Sequence, residues 1–362
     1  MSESIQRKPR ARDLGVPFEG TPGPFNAITD VAGVEVGQVT LISGEGALKV
    51  GEGPVRTGVT GIHPRGLAST MPVFAGWFSM NGNGEMTGTA WLEEAGLLDG
   101  PVMITNTHSV GTVRDAVIAW QVERGRMPHA FSLPVVAETC DARLNDINGF
   151  HVRPHHVFEA LDGARSGSVA EGNVGGGTGM IAHQFKGGIG TASRFEPETG
   201  YTVGVLVQAN HGMRDQLRIG GVLVGPDLTE MVRREQESGS IIIVVATDAP
   251  LLPHQCRALA KRSALGMART GSIAGIGSGD IMVAFATGNL AEARPLEPMQ
   301  VKMIGLHQIT PLCEATAQAT EEAIVNALVA AETMTGANGR TIEALPHDRL
   351  REVLRKYNRL LT

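Results

Sequence analysis

Eight short apolar runs rich in β-branched residues punctuate the chain: VTLIS (39–43), GVTGIHP (58–64), MPVFAGWF (71–78), PVMITNT (101–107), LPVVAET (133–139), YTVGVLVQAN (201–210), SIIIVVAT (240–247) and DIMVAFAT (280–287). Such runs predict strands, and those without polar alternation predict strands buried on both faces. Between them the apolar spacing becomes helical at about 110–124, 154–163, 253–269 and 311–334. In the third helix Pro253 occupies the first turn, where its missing N–H costs nothing, and Leu259, Leu265 and Met267 with Ala260 and Ala264 form the packing face. The fourth, PLCEATAQATEEAIVNALVAAETM, is rich in alanine, which lets it approach a sheet closely. Interleaved strands and helices indicate an α/β or layered α+β fold. Without repeats or low-complexity linkers, the pattern predicts one globular body over 1–362. PDLTEMVRREQESG (226–239) interrupts it with a jump in charge density, which reads as a surface loop.

Composition narrows the function classes. With 42% hydrophobic residues, 19% charged and 47 glycines, the chain can bury a large core and make many turns. A net charge of −6 disfavours a nucleic-acid binder; RKPRAR (7–12) is a locally basic, solvated terminus. Cys140, Cys256 and Cys313 are far apart and form no C-x-x-C pair, so neither a disulfide framework nor a zinc site is indicated. The first 25 residues lack a signal-peptide core and no run of 18 apolar residues occurs, which gives no membrane partner and a cytoplasmic expectation.

Several strings invite chemistry. AEGNVGGGTGM (170–180) clusters Gly175, Gly176, Gly177 and Gly179, but G-x-x-x-x-G-K-[ST] is absent and no clear strand precedes it. A tight turn bringing backbone close to a substrate or a neighbouring element is the better reading. His155 and His156 are adjacent and so point apart, His211 and His254 lie in loops, and no H-E-x-x-H or G-x-S-x-G occurs. These histidines read as structural or surface groups.

The start of SIIIVVAT differs. A serine needs a base to become a nucleophile, and its own α-amino group serves if the preceding peptide bond is cut. That amine has a pKa of about 7.7–8.0, suited to general-base work. Gly239-Ser240 fits such a cut, since glycine tolerates backbone conformations closed to other residues; an ordinary buried strand after Gly-Ser is the plain alternative. GIGSGDIMVAF places Ser278 and Asp280 in a glycine turn before a strand. VLVQANHG ends a strand on Asn210, whose amide could donate to a developing oxyanion. Turn capping is the structural alternative for all three.

The chain resembles the family of self-processing N-terminal-serine aminopeptidases that includes the β-peptidyl aminopeptidases and the L-aminopeptidase/D-esterase-amidase. The likeness runs from RARDLGVPFEGTPGPFNAITDVAGVEVG (10–37) through RTGVTGIHP, NGNGEMTG, VVAETCDARLND, AEGNVGGGTGMIA, KGGIGT, YTVGVLVQANHG and SIIIVVATDAPLLPHQ to TEEAIVNAL and ETMTGAN. It implies a four-layer α/β/β/α sandwich with N-terminal-nucleophile chemistry on its own topology. It also implies cleavage at Gly239-Ser240 into 1–239 and 240–362. By the same resemblance Ser240 is the nucleophile, Asn210 the oxyanion-hole residue, Ser278 a hydroxyl near the nucleophile and its amine, and Glu138 the carboxylate that takes the substrate's ammonium. Asp280 stands where some β-aminopeptidases carry Glu, one methylene longer. Cys140, two residues after Glu138, reads as pocket lining or core rather than as a thiol nucleophile. The implied activity removes N-terminal residues, β-amino acids first, from peptides, amides and esters, with L-aminopeptidase/D-esterase-amidase specificity as the alternative. The expected partners are a small peptide or amide and a homo-oligomer of processed heterodimers, with no metal or organic cofactor. A nucleotide binder using GNVGGGTG and a non-catalytic scaffold that stays a single chain are the readings from other classes.

Overall fold

The computed structural model describes residues 8–127, 129–228, 239–290, 298 and 300–361. Two sheets dominate it. The smaller has four strands in the order Glu35–Ser43, Val55–His63, Val102–Asn106, Val135–Thr139. The larger has six, in the order Leu97–Leu98, Val73–Ser79, Gly279–Ala286, Ser240–Thr247, Tyr201–Asn210, Gly188–Glu196. Its two central strands run parallel, with Ser240 opposite Gly279, and are joined by the helix Pro253–Arg269, the long crossover that parallel neighbours require.

The unbroken apolar run at 240–247 is explained by burial on both faces. Side chains alternate along a strand. Ile241, Ile243 and Val245 pack with Leu259 and Met267 of Pro253–Arg269 and with Ala323 and Ala327 of Leu306–Ala330. Ile242, Val244 and Ala246 face the small sheet's Ile62, Val102, Ile104 and Ala137. The small sheet's outer face, through Val59, Met103 and Val136, packs on Val113, Val117 and Trp120 of Val110–Glu123 and on Val157 and Leu161 of Pro154–Asp162. The layers are therefore helix, sheet, sheet, helix, as the resemblance implied. Each fully buried Ile or Val contributes roughly 1.5–3 kcal/mol, so both faces of the large sheet add to stability.

The eight apolar runs all form strands, each within four residues at its ends. One large-sheet strand, Gly188–Glu196, is not apolar enough to read from sequence: GIGTASRFE is small and polar because a helix lies against it. A methyl group at Gly190 would stand 2.0 Å from the carbonyl oxygen of Ala323. The long C-terminal helix spans Leu306–Ala330, not 311–334; Pro311 falls in its second turn and costs one backbone hydrogen bond there. Leu265, expected on a packing face, is 57% exposed, because the buried stripe of its helix runs through 259, 260, 263, 264 and 267. Two further helices, Thr89–Ala95 and His347–Lys356, also form. In the latter Leu350, Val353 and Leu354 give the i, i+3, i+4 burial of an amphipathic helix. Of the charged loop expected at 226–239, residues 229–238 lie outside the described residues. No helix among the described residues is long and apolar enough to cross a membrane.

Candidate active site

Strand direction brings the chemistry to one end of the sandwich. The central parallel strands begin there, and the antiparallel strand Tyr201–Asn210 ends there, with Asn210 opposite Ser240. In the small sheet Val102–Asn106 and Val135–Thr139 run parallel and end at the same side, delivering Thr107 and Glu138. A cleft of about 540 Å³ opens between the sheets at this end; Ser240, Gly239, Asn210, Glu138, Cys140 and Thr107 are on its walls.

Ser240 is 5% exposed, and its hydroxyl donates to the carbonyl of Gly239 at 2.8 Å. The Gly279 N–H donates to that same carbonyl at 3.1 Å, so the oxygen of the Gly239-Ser240 peptide bond is polarised from two sides. The expectation that glycine is needed at 239 for backbone freedom is corrected by its surroundings. Gly239 is not among the residues of positive φ, and the constraint is steric: a methyl group there would lie 2.3 Å from the carbonyl oxygen of Asn210.

Beneath Ser240 lies a closed network. Ser278 and Asp280 are fully buried. The Ser278 hydroxyl donates to Asp280 Oδ1 at 2.6 Å, and the Ile241 N–H donates to the same oxygen at 3.2 Å. Asn81 clamps the other side: its amide donates to Asp280 Oδ2 at 2.8 Å, while the Asp280 N–H donates to Asn81 Oδ1 at 2.6 Å. Burial pushes the Asp280 carboxyl above the usual carboxylate range, and the three donors oppose that shift. Ser278 thus meets Asp280 as expected, but its hydroxyl is committed to that carboxylate rather than facing the cleft.

Glu138 sits across the cleft, 3% exposed. Its Oε1 accepts from the Glu85 N–H at 3.0 Å and its Oε2 from the Thr107 hydroxyl. Loss of hydration raises its pKa, and those donors partly offset the effect. Gly84 bridges the two walls: a methyl group at 84 would stand 2.9 Å from the Gly279 Cα and 3.3 Å from Glu138 Oε1. Asn81, Gly84, Glu85 and Thr107 were not singled out from the sequence; the doubled N-G of NGNGE (81–85) was the available signal.

Asn210 accepts the Ile181 N–H on Oδ1 at 2.8 Å and donates from Nδ2 to the Cys140 carbonyl at 3.1 Å. That leaves its second amide hydrogen for the cleft. Cys140 is exposed on the wall, and desolvation raises its thiol pKa, the opposite of what a thiolate nucleophile needs. His211 is buried in the wall with its ring edge-on to His183, centroids 5.2 Å apart, and burial keeps both neutral. His254 is exposed, and the His155 and His156 rings pack on each other. The glycine turn 175–179 is enclosed by protein: a methyl group at Gly176 would meet Gln208 Oε1 at 2.2 Å and the Ile104 carbonyl at 2.7 Å. Its glycines serve close packing between the sheets, the second of the two readings. Among the described residues no group of three or more His, Cys, Asp or Glu side chains could hold a metal.

Known proteins share this architecture. The beta-peptidyl aminopeptidase BapA of Sphingosinicella microcystinivorans is 57% identical over 370 residues, covering 97% of this chain and 93% of that protein. A Burkholderia sp. beta-aminopeptidase structure superposes with a TM-score of 0.87 at 50% identity, covering 96% of this chain and 98% of the other. The L-aminopeptidase D-Ala-esterase/amidase of Ochrobactrum anthropi, described as a prototype serine aminopeptidase with a variant of the Ntn hydrolase fold, gives a TM-score of 0.91 at 48% identity, with 98% and 100% covered. Peptidase family S58 matches residues 26–342. With most of its length inside that match and a relative more than half identical across it, the chain belongs to peptidase family S58.

Proposed function

We propose that this aminopeptidase releases N-terminal β-amino acids from short peptides, amides and esters, using Ser240 as an N-terminal nucleophile exposed by cleavage of Gly239-Ser240. The observation that carries the proposal is the convergence on one cleft of Ser240 and the buried Glu138, which accepts from the neutral Glu85 N–H and Thr107 hydroxyl and keeps a raised pKa. A desolvated carboxylate facing the nucleophile suits an enzyme that must hold a free substrate ammonium.

In self-processing, Ser240 Oγ attacks the Gly239 carbonyl carbon, and the Gly279 N–H supports the developing oxyanion. The ester to Oγ forms as the C–N bond breaks, and the hydroxyl proton passes to the departing nitrogen, which becomes the free amine of Ser240. Water then hydrolyses the ester and releases the Gly239 carboxylate. The two fragments stay together, because Ser240–Thr247 and Gly279–Ala286 of the small fragment are flanked in one sheet by Tyr201–Asn210 and Val73–Ser79 of the large one. Assembly of such pairs into homo-oligomers is part of the proposal.

In turnover the Ser240 amine takes the hydroxyl proton, and Oγ adds to the substrate carbonyl whose amine is paired with Glu138. The free amide hydrogen of Asn210 stabilises the oxyanion, and the protonated amine returns its proton to the leaving group. Water completes the cycle. Asp280, held by Ser278, Asn81 and the Ile241 N–H, fixes the strand that bears the nucleophile. The preference for β-residues draws on the 57% identity to a beta-peptidyl aminopeptidase. The 48% identity to an L-aminopeptidase D-Ala-esterase/amidase favours the second specificity on the same machinery.

Denaturing mass spectrometry is expected to show two fragments meeting at Gly239-Ser240; a persistent intact 38.1 kDa chain that still turns over substrate overturns the N-terminal nucleophile. Hydrolysis rates for β-alanyl, L-alanyl and D-alanyl amides decide specificity. The β-alanyl amide should be fastest, and a faster L- or D-alanyl amide transfers the assignment to the second reading.

A further inference from the structure

We propose that Lys186 is a positioning residue for the oxyanion donor, acting on Asn210 through the single peptide unit that joins Met180 to Ile181. Lys186 is fully buried, and its ammonium donates to the Met180 carbonyl at 2.7 Å, the Gly187 carbonyl at 2.8 Å and the Gly177 carbonyl at 3.5 Å. The Gly187 N–H donates to the same Met180 carbonyl at 2.9 Å. At the other end of that peptide unit, the Ile181 N–H donates to Asn210 Oδ1 at 2.8 Å. An ammonium on the carbonyl oxygen draws electrons through the amide, which makes the N–H a stronger donor. A stronger bond at Asn210 Oδ1 in turn acidifies the amide hydrogens of Nδ2. One of those hydrogens goes to the Cys140 carbonyl, and the other is the one assigned to the oxyanion.

The local fold is built to hold this relay. Ile181 and Lys186 are paired across a two-residue hairpin whose turn, His183-Gln184, has φ of 48° and 60° at its two positions, the left-handed pair of a type I′ turn. The hairpin folds the lysine back under the peptide that precedes it. Desolvation lowers the Lys186 pKa to about 7 and the buried Asp141 opposes that shift, so near neutral pH part of the population carries the ammonium, and the relay acts through that charged form. Lys186 lies well before Asn210 in the chain, but in space it is two hydrogen bonds from it.

The inference rests on Asn210 being the oxyanion donor, and the test separates the two. For wild type, Asn210→Ala, Lys186→Met and the double variant, kcat and KM are measured on a β-alanyl amide per processed chain, counted by denaturing mass spectrometry. Asn210→Ala should lower kcat about 100-fold. Lys186→Met should lower kcat about 10-fold with KM within about two-fold, and the double variant should be no slower than Asn210→Ala alone. If Lys186→Met does not fold, Lys186→Gln, which keeps a neutral donor, carries the same cycle. Full-rate Asn210→Ala overturns the oxyanion assignment and the relay with it. A slow Asn210→Ala beside a full-rate lysine variant, or losses that multiply in the double variant, overturns the relay alone.

Discussion

Buried carboxylates are treated in opposite ways at the outer face of the large sheet and at the cleft. On the outer face Glu322 lies under the N-terminal segment, whose Arg10 and Arg12 are packed and ion-paired rather than solvated as expected: Arg12 donates to Glu322 twice at 2.8 Å, Arg194 at 2.7 Å, and the Asn26 amide at 2.6 Å. Burial raises its pKa, yet Arg12 and Arg194 outweigh that and leave it below the usual carboxylate range. At the cleft Glu138, and beneath it Asp280, accept from neutral donors among the described residues, and desolvation leaves both raised. On the proposed function, the difference separates a charge that holds the fold from a carboxylate kept for a substrate ammonium and one that fixes the strand of Ser240. A buried acid without a counter-ion is unstable by design, and its missing cation is supplied by what binds.

The largest expected effect removes the chemistry and leaves both regions intact. Ser240→Ala should fold, remain a single chain and lose turnover to background, read by mass spectrometry and an amide assay; activity surviving in it would mean another nucleophile. Glu322→Ala comes next, because it takes the carboxylate from the buried Arg194 and the half-buried Arg12: about 3 kcal/mol of stability should be lost, read by denaturant unfolding. Its contribution is present above the unfolded carboxylate pKa and fades as pH falls through the depressed folded value.

Glu138→Gln should behave in reverse. Its kcat/KM should fall by roughly 2–3 kcal/mol, or 30- to 150-fold, through KM. Stability near neutral pH should rise by on the order of 1 kcal/mol, because the wild-type carboxylate is ionised against desolvation above its raised pKa. For the same reason the wild-type KM should climb as pH drops through that raised value, and this limb should vanish in Glu138→Gln; a glutamine variant that both melts earlier and keeps its KM would erase the contrast. Arg257→Ala is the small control. Its pair with Glu93 is exposed on both sides, and thermal melts should move by no more than about 0.5 kcal/mol.

What could be read along the chain followed from local spacing. Ile241 to Ala246 announce a strand buried on two faces, and such strands alternating with helices demand a layered sandwich, since each exposed face needs a cover. Ser240 stood out because its position after glycine at the head of that strand is itself a local pattern. Gly188–Glu196 stayed hidden because close helix packing selects small residues and so erases the apolar signal.

The cleft is another matter, because its decisive contacts join residues far apart in the chain. Asn81 reaches Asp280 across 199 positions, Glu85 reaches Glu138 across 53, and Ile181 reaches Asn210 across 29. Nothing in a window of sequence reports such pairings, since they depend on strand order and direction at the shared end of the two sheets. The sequence by itself determined the strands, their two-sided burial and the Gly239-Ser240 bond. Only the tertiary structure decided which polar groups surround that bond, because hydrogen bonding acts over about 3 Å of space and is indifferent to separation along the chain.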